Sequence, residues 1–239
     1  MHLIKAIVNT GKFPVTNCYP YNLGLFKQNL EIVFTHPVTF FVGENGCGKT
    51  TLLRAIAKRC KIYIWEFAER RRYDYNPYED NLYQAIDLDW SAENIPGSYF
   101  DARNFEFFTK ILDEWATADP GQLKYFGGKS LVAQSHGQSL MSYFRSRYEI
   151  KGIYFLDEPE TALSPKTQIE LVRLLSQISM KGKAQFIIAT HSPIILALAG
   201  ATIYNFESNG IRAIPYKNSE PYIVYKNFIN NVDTYLLDS

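Results

Sequence analysis

Three groups of residues have types and spacings that suit phosphate chemistry. The first, Gly43-Glu44-Asn45-Gly46-Cys47-Gly48-Lys49-Thr50-Thr51, has the G-x-x-x-x-G-K-[ST] spacing of a phosphate-binding loop. Its glycines allow backbone turns that a Cβ would resist, so amide N–H groups can converge on a phosphate. Lys49 supplies a point charge for the outer phosphates, and Thr50 a hydroxyl for Mg²⁺. In the second group, Ile153-Tyr154-Phe155-Leu156 runs into Asp157 and Glu158. An Asp ending a buried strand can hold Mg²⁺ beside Thr50, and the next Glu can orient and deprotonate an attacking water. Third, His191 follows the run Ile187-Ile188-Ala189-Thr190, from where it can reach a terminal phosphate.

These residues need elements to hold them. Val38 to Val42 reads as a short buried parallel strand, with a helix starting at Gly48 or Lys49 whose positive dipole end adds to the phosphate site. Leu52, Leu53, Ile56 and Ala57 are spaced to pack that helix back on the strand. Ile153–Leu156 and Gln185–Thr190 read as two further buried strands, so Asp157, Glu158 and His191 fall at the carboxyl edge of one sheet, where α/β ligands bind. Ser164-Pro165 is a helix start, with Ser as N-cap and Pro at the first helical position. Met1 to about Phe34 looks like β-structure. Residues Ser98 to Asp119 read as a strand end and then a helix with Phe105, Phe108, Ile111, Leu112 and Trp115 on one face. Leu140, Met141, Phe144 and Tyr148 mark another helix, and a last one is expected near Tyr225 to Leu237.

The 239 residues, 46% hydrophobic and 15% aromatic, suit one large α/β domain with an inserted lobe at about 62–150. A formal net charge of +1 gives no global field toward nucleic acid or membrane. The longest uncharged run, Ala184 to Phe206, is broken by polar residues and Pro193, so no direct membrane insertion is expected. Cys18, Cys47 and Cys60 show neither paired nor metal-ligand spacing, which suggests a reducing compartment, the cytoplasm. Tyr19, Tyr21 and Phe26 are candidates to stack on a nucleobase or to fill the core. Lys61 to Tyr83 interleaves aromatics with Arg70-Arg71-Arg72, but acidic neighbours cancel the charge. It reads as a solvated hairpin or lid, with a grip on single-stranded nucleic acid as the alternative.

Together these motifs resemble the ABC-type ATPases, in particular small stand-alone "AAA family ATPase" proteins related to the RecF and SMC heads. The segment Gln134-Ser135-His136-Gly137-Gln138 is similar to the ABC signature, Ser135, Gly137 and Gln138 matching its serine, second glycine and glutamine. Glu160-Thr161-Ala162-Leu163-Ser164 resembles the D-loop, and Thr190-His191 the switch histidine. The resemblance implies an α/β P-loop NTPase with an ABC-ATPase-like core: a mostly parallel sheet flanked by helices, an N-terminal antiparallel portion and a small helical inserted lobe. It also implies ATP and Mg²⁺ as cofactors, with Glu158 and His191 catalytic. Gly43 to Thr51 would bind ATP, joined by Ser135, Gly137 and Gln138 of a second copy, in a head-to-tail homodimer that sandwiches two ATP molecules. Nucleic acid or a partner protein is the expected target; a transporter's nucleotide-binding subunit and an ATP-binding switch with little turnover are the alternatives. Two departures stand out. Ser164 replaces the usual D-loop aspartate, and no glutamine stands where a Q-loop is sought, near Arg103 and Asn104.

Overall fold

A computed structural model describes residues 1–65, 76–91, 95–119, 121, 136–208 and 210–236, except the side chains at 103, 106–108 and 136. Its centre is a six-stranded sheet. In chain order the strands are β3 (Val38–Val42), β5 (Gly97–Asp101), β6 (Gly152–Asp157), β7 (Ala184–Ala189), β8 (Thr202–Glu207) and β9 (Gly210–Ala213). In space they run β5-β6-β7-β3-β8-β9, all parallel except β9, which pairs antiparallel with β8. Every residue of β3, β6 and β7 is buried, as expected where both faces of a parallel sheet are covered. Register places Asp157 of β6 opposite Ala189 of β7, and Ala189 opposite Phe41 of β3. The ends of the three predicted strands therefore share one edge.

The N-terminal region forms a separate antiparallel sheet, with β1 (Leu3–Val8) between β2 (Leu30–Val33) and β4 (Ile86–Trp90). β4 was not anticipated from the sequence, although Ile86, Leu88 and Trp90 alternate with two aspartates. β4 and β5 both lie within 62–150, yet each pairs into one of the two sheets.

Gln185 ties the two sheets together. Its Oε1 accepts from the backbone N–H groups of His2 and Leu3, both at 2.8 Å, and its Nε2 donates to the Leu3 carbonyl at 2.9 Å. Gln185 is fully buried, so these backbone groups would have no water to turn to. At the other end, the Tyr204 hydroxyl donates to the Val33 carbonyl at 2.7 Å.

Helices cover the two faces unequally. α1 (Lys49–Arg59) and the N-terminal sheet close one face, burying Leu52, Leu53 and Ile56 against Phe41, Phe155 and Ile187. α2 (Ala102–Ala118), α3 (His136–Tyr148), α4 (Pro165–Met180) and the short α5 (Pro193–Leu196) close the other. On α2, Phe105 and Leu112 are buried while Trp115 is half exposed, its ring 5.8 Å from that of Trp65. Phe108 lies outside the described side chains. The expected terminal helix begins earlier, as α6 (Glu220–Asn230), and breaks at Asn231 before α7 (Val232–Leu236). No helix among the described residues is long and apolar enough to cross a membrane.

Replacing Gln185 with Leu leaves two N–H groups and a carbonyl unpaired in the interior. Destabilisation of about 3 kcal/mol is expected, a fall in Tm of roughly 6–12 °C for a domain of this size, measurable by calorimetry.

Candidate nucleotide site

The loop between β3 and α1 has the backbone that its glycines predict. Gly43, Gly46 and Gly48 have φ of 144°, 80° and 100°. Gly43 also needs its missing side chain for space: a Cβ there would meet the Phe206 carbonyl oxygen at 2.7 Å and Cys47 Sγ at 3.1 Å. Gly48 caps the helix, and α1 begins at Lys49. The Lys49 side chain folds back into the loop. Its ammonium donates to the carbonyls of Gly43 (2.8 Å) and Glu44 (2.9 Å) and lies 3.8 Å from Cys47 Sγ. Lys49 is 5% exposed, and these partners carry no full negative charge. A buried cation held this way favours an anion beside it. Glu44 and Asn45 are exposed at the loop's tip.

Thr50, on the first turn of α1, donates its hydroxyl to Asp157 Oδ1 at 2.9 Å. The bond crosses above Ala189, whose small side chain occupies the strand end between them. A hydroxyl and a carboxylate in contact form a hard-oxygen pair of the kind that Mg²⁺ takes alongside phosphate and water. On the far side of Asp157, the Tyr99 hydroxyl of β5 donates to Oδ2 at 3.0 Å. Burial raises the Asp157 pKa to about 6; the two hydroxyl bonds pull it down, and the charges of Asp101 and Glu158 add to the rise.

Glu158 begins the turn after β6 with φ 46° and ψ 54°. For a residue with a Cβ this left-handed backbone costs on the order of 1 kcal/mol or more, and such strain clusters at functional sites. Its N–H donates to the Ala189 carbonyl at 2.9 Å. His191, just beyond β7, has a lowered pKa, from burial first and then from the Lys49 charge, while Glu158 and Glu220 oppose the shift. Lys49 and Glu158 thus both lie within electrostatic reach of His191. His191 Nε2 is buried without a hydrogen-bond partner among the described residues.

Glu160 is a site residue whose role the sequence did not reveal. It accepts the Thr190 hydroxyl at 2.8 Å and the His191 backbone N–H, so it locks the turn after β6 to the loop carrying the histidine. Burial raises its pKa, and these bonds partly offset the rise. Gln168 of α4 adds a second tie, accepting from Ser192 Oγ at 2.6 Å and donating to the Leu163 carbonyl at 3.0 Å. Ser164 caps α4, its Oγ accepting from Thr167 N–H at 3.3 Å.

Asp101 was also missed. It ends β5, is 8% exposed and stands opposite Asp157 in register. Asn104 donates to it at 3.3 Å. Of the aromatic candidates, Tyr21 and Phe26 are core residues, both packed on Phe13. Tyr19 is 39% exposed, with its hydroxyl 2.8 Å from Thr51 Oγ1. Gln134, Ser135 and Arg70-Arg71-Arg72 lie outside the described residues. Gly137 and Gln138 sit in the first turn of α3, Gly137 beside Thr167 of α4. That helix covers the opposite face of the sheet from α1.

A Gly-rich loop between strand and helix, joined through Thr50 to an aspartate at the end of the next strand but one, defines a P-loop NTPase. Two family models agree: one described as an AAA domain matches residues 21–57, and one described as an AAA ATPase domain matches 135–196. The ATP-binding protein Uup of Buchnera aphidicola is 26% identical over 178 residues, covering 71% of this chain and 28% of its own length. The fold is that of the SMC head domain from Thermotoga maritima (TM-score 0.51, 18% identity, 90% of this chain and 99% of that one). It is equally that of cbiO1 from Clostridium perfringens, part of an ABC transporter complex (TM-score 0.52, 17% identity, 100% of each chain). The chain is thus similar to ATPase domains of the AAA and ABC type over these segments, and it shares its fold with SMC heads and ABC ATPases. It spans only 16–47% of the length of the curated relatives it matches.

Without metal, the folded chain binds more protons than the unfolded one between pH 3.8, the ordinary Asp value, and about 6. The Asp157 contribution therefore falls as pH rises through that window, by on the order of 2–3 kcal/mol. Chemical denaturation at pH 4 and pH 7 should show Asp157→Asn gaining stability relative to the parent chain as pH rises.

Proposed function

We propose that this chain binds ATP with Mg²⁺ and hydrolyses it, working as a two-fold pair of copies. The observation that carries the reading is the 2.9 Å bond from Thr50 to Asp157, which brings the phosphate loop and the acidic strand end to one point. Backbone amides from Gly43 to Thr51, with Lys49, would hold the β- and γ-phosphates. Thr50 and Asp157 would hold Mg²⁺, which when bound neutralises charge on the transferring phosphate. Glu158, next to the metal-side carboxylate, would take the proton of the attacking water. His191 Nε2 is the group left to meet the γ-phosphate. Tyr19, exposed beside Thr51, is the aromatic best placed for the base.

The pairing of copies is supported by the two faces of the sheet. α3, with Gly137 and Gln138, covers one face and α1 the other. A signature segment that includes Ser135 would therefore complete the nucleotide site of a second copy rather than its own, in a head-to-tail arrangement. In this reading residues 1–239 act as a single ATPase domain, and 62–150 is the inserted lobe that presents the signature. Kinship of fold with SMC heads favours nucleic acid or a partner protein as the target, in the cytoplasm.

Lys49→Ala should weaken ATP binding roughly hundredfold, through loss of charge-assisted contacts, as measured by calorimetry. Glu158→Gln should keep ATP binding, lose turnover and accumulate a dimer on sizing columns when ATP is present. A Glu158→Gln chain that stays monomeric with saturating ATP would remove the sandwich from the reading.

A further inference from the structure

A carboxylate at a strand end turns freely about its last bond, because that torsion is broad and two-fold. Asp157 has lost this freedom. Thr50 on α1 holds Oδ1 at 2.9 Å, and Tyr99 on β5 holds Oδ2 at 3.0 Å. The two donors come from opposite sides of the carboxylate and from different elements.

Tyr99 suits the task for reasons of register. It pairs with Phe155, two residues before Asp157, so its ring must reach about 6.6 Å along the strand. A phenol spans that gap and ends in a donor. Its ring packs in the same buried layer as Ile153 and Phe155, and Tyr99 is 6% exposed. The Arg54 guanidinium of α1 lies 6.0 Å from the ring centroid, within cation–π range. The ring is thus clamped between the edge strand and the helix that follows the phosphate loop. A core position needs only the ring, and a phenylalanine would fill it. The hydroxyl is what reaches the site.

We propose that Tyr99 is a positioning residue for the metal-side carboxylate, its hydroxyl holding Asp157 so that Oδ1 faces Thr50 and the cation that accompanies the triphosphate. This rests on the magnesium–nucleotide reading above. Tyr99 does not touch the nucleotide. It acts through Asp157, so its removal should alter the response to metal and leave the phosphate loop's own grip intact.

The test uses a fluorescent ATP analogue. Binding is measured first in EDTA and then during a Mg²⁺ titration at fixed nucleotide, with Mn²⁺ binding followed by electron paramagnetic resonance as a readout independent of turnover. Tyr99→Phe should bind the analogue in EDTA within about twofold of the parent chain. Its half-effective Mg²⁺ or Mn²⁺ concentration should rise about tenfold, the loss expected for one hydrogen bond to a charged group. In an Asp157→Asn background the same substitution should add less than about twofold, since coupled residues do not act additively. An unchanged metal midpoint in Tyr99→Phe overturns the proposal. So does an equal loss of binding in EDTA and in Mg²⁺, which would make Tyr99 a packing residue only. Should the parent chain's affinity prove insensitive to Mg²⁺, the magnesium reading falls and this inference falls with it; a metal-sensitive parent with an unaffected Tyr99→Phe sinks the inference alone.

Discussion

The hydrogen bond between Thr50 and Asp157 is the constraint on which the site depends. β3 and β6 are not neighbours; β7 runs between them. For a residue just past β3 to touch the end of β6, something must cross the end of β7, and Ala189 leaves the room. The flanking strands are fixed by continuous apolar packing on both faces. Their edge is therefore stiff, and the polar groups on it inherit that stiffness.

Around that bond the site is built from ties between loops. Glu160 joins the turn after β6 to the histidine loop, and Gln168 joins the same two regions from α4. Tyr99 joins the edge strand to Asp157. Each tie is a half-buried or buried polar group with its partners in place, an arrangement that rigidifies rather than merely decorates. Lys49 and His191 are not matched in this way by the described residues. Lys49 carries a buried charge against neutral carbonyls, and His191 has an empty Nε2. Both fall on the nucleotide side.

Much of this was legible in the sequence because the motifs are local. The loop from Gly43 to Thr51, the run into Asp157 and Glu158, and the Ser164-Pro165 cap each specify their own geometry within a few residues. Residues whose meaning depends on a distant partner were not legible. Tyr99 and Asp101 acquire a role only when β5 pairs with β6, more than fifty positions along the chain. Asp101 stands two residues before Arg103, and nothing local in the sequence marks it. Glu160 is read from the sequence only as the start of a D-loop, and its bonds to Thr190 and His191 depend on a loop thirty positions on. β4 was missed because its aspartates mask the alternation of Ile86, Leu88 and Trp90. Those aspartates face lysines: Asp89 pairs with Lys5 and Asp87 with Lys12.

Gln185 has one more implication, for how the molecule is made. Its partners, His2 and Leu3, lie 183 and 182 positions upstream. β3 likewise waits for both of its neighbours, β7 and β8, which come from the last quarter of the chain. A ribosome extends the chain from the N-terminus, so β3 and the phosphate loop emerge long before β7 and β8 exist to hold them. Pairings so far apart in sequence form slowly. β3 must therefore wait with its apolar faces uncovered, and the nucleotide site forms only once β7 and β8 have been made.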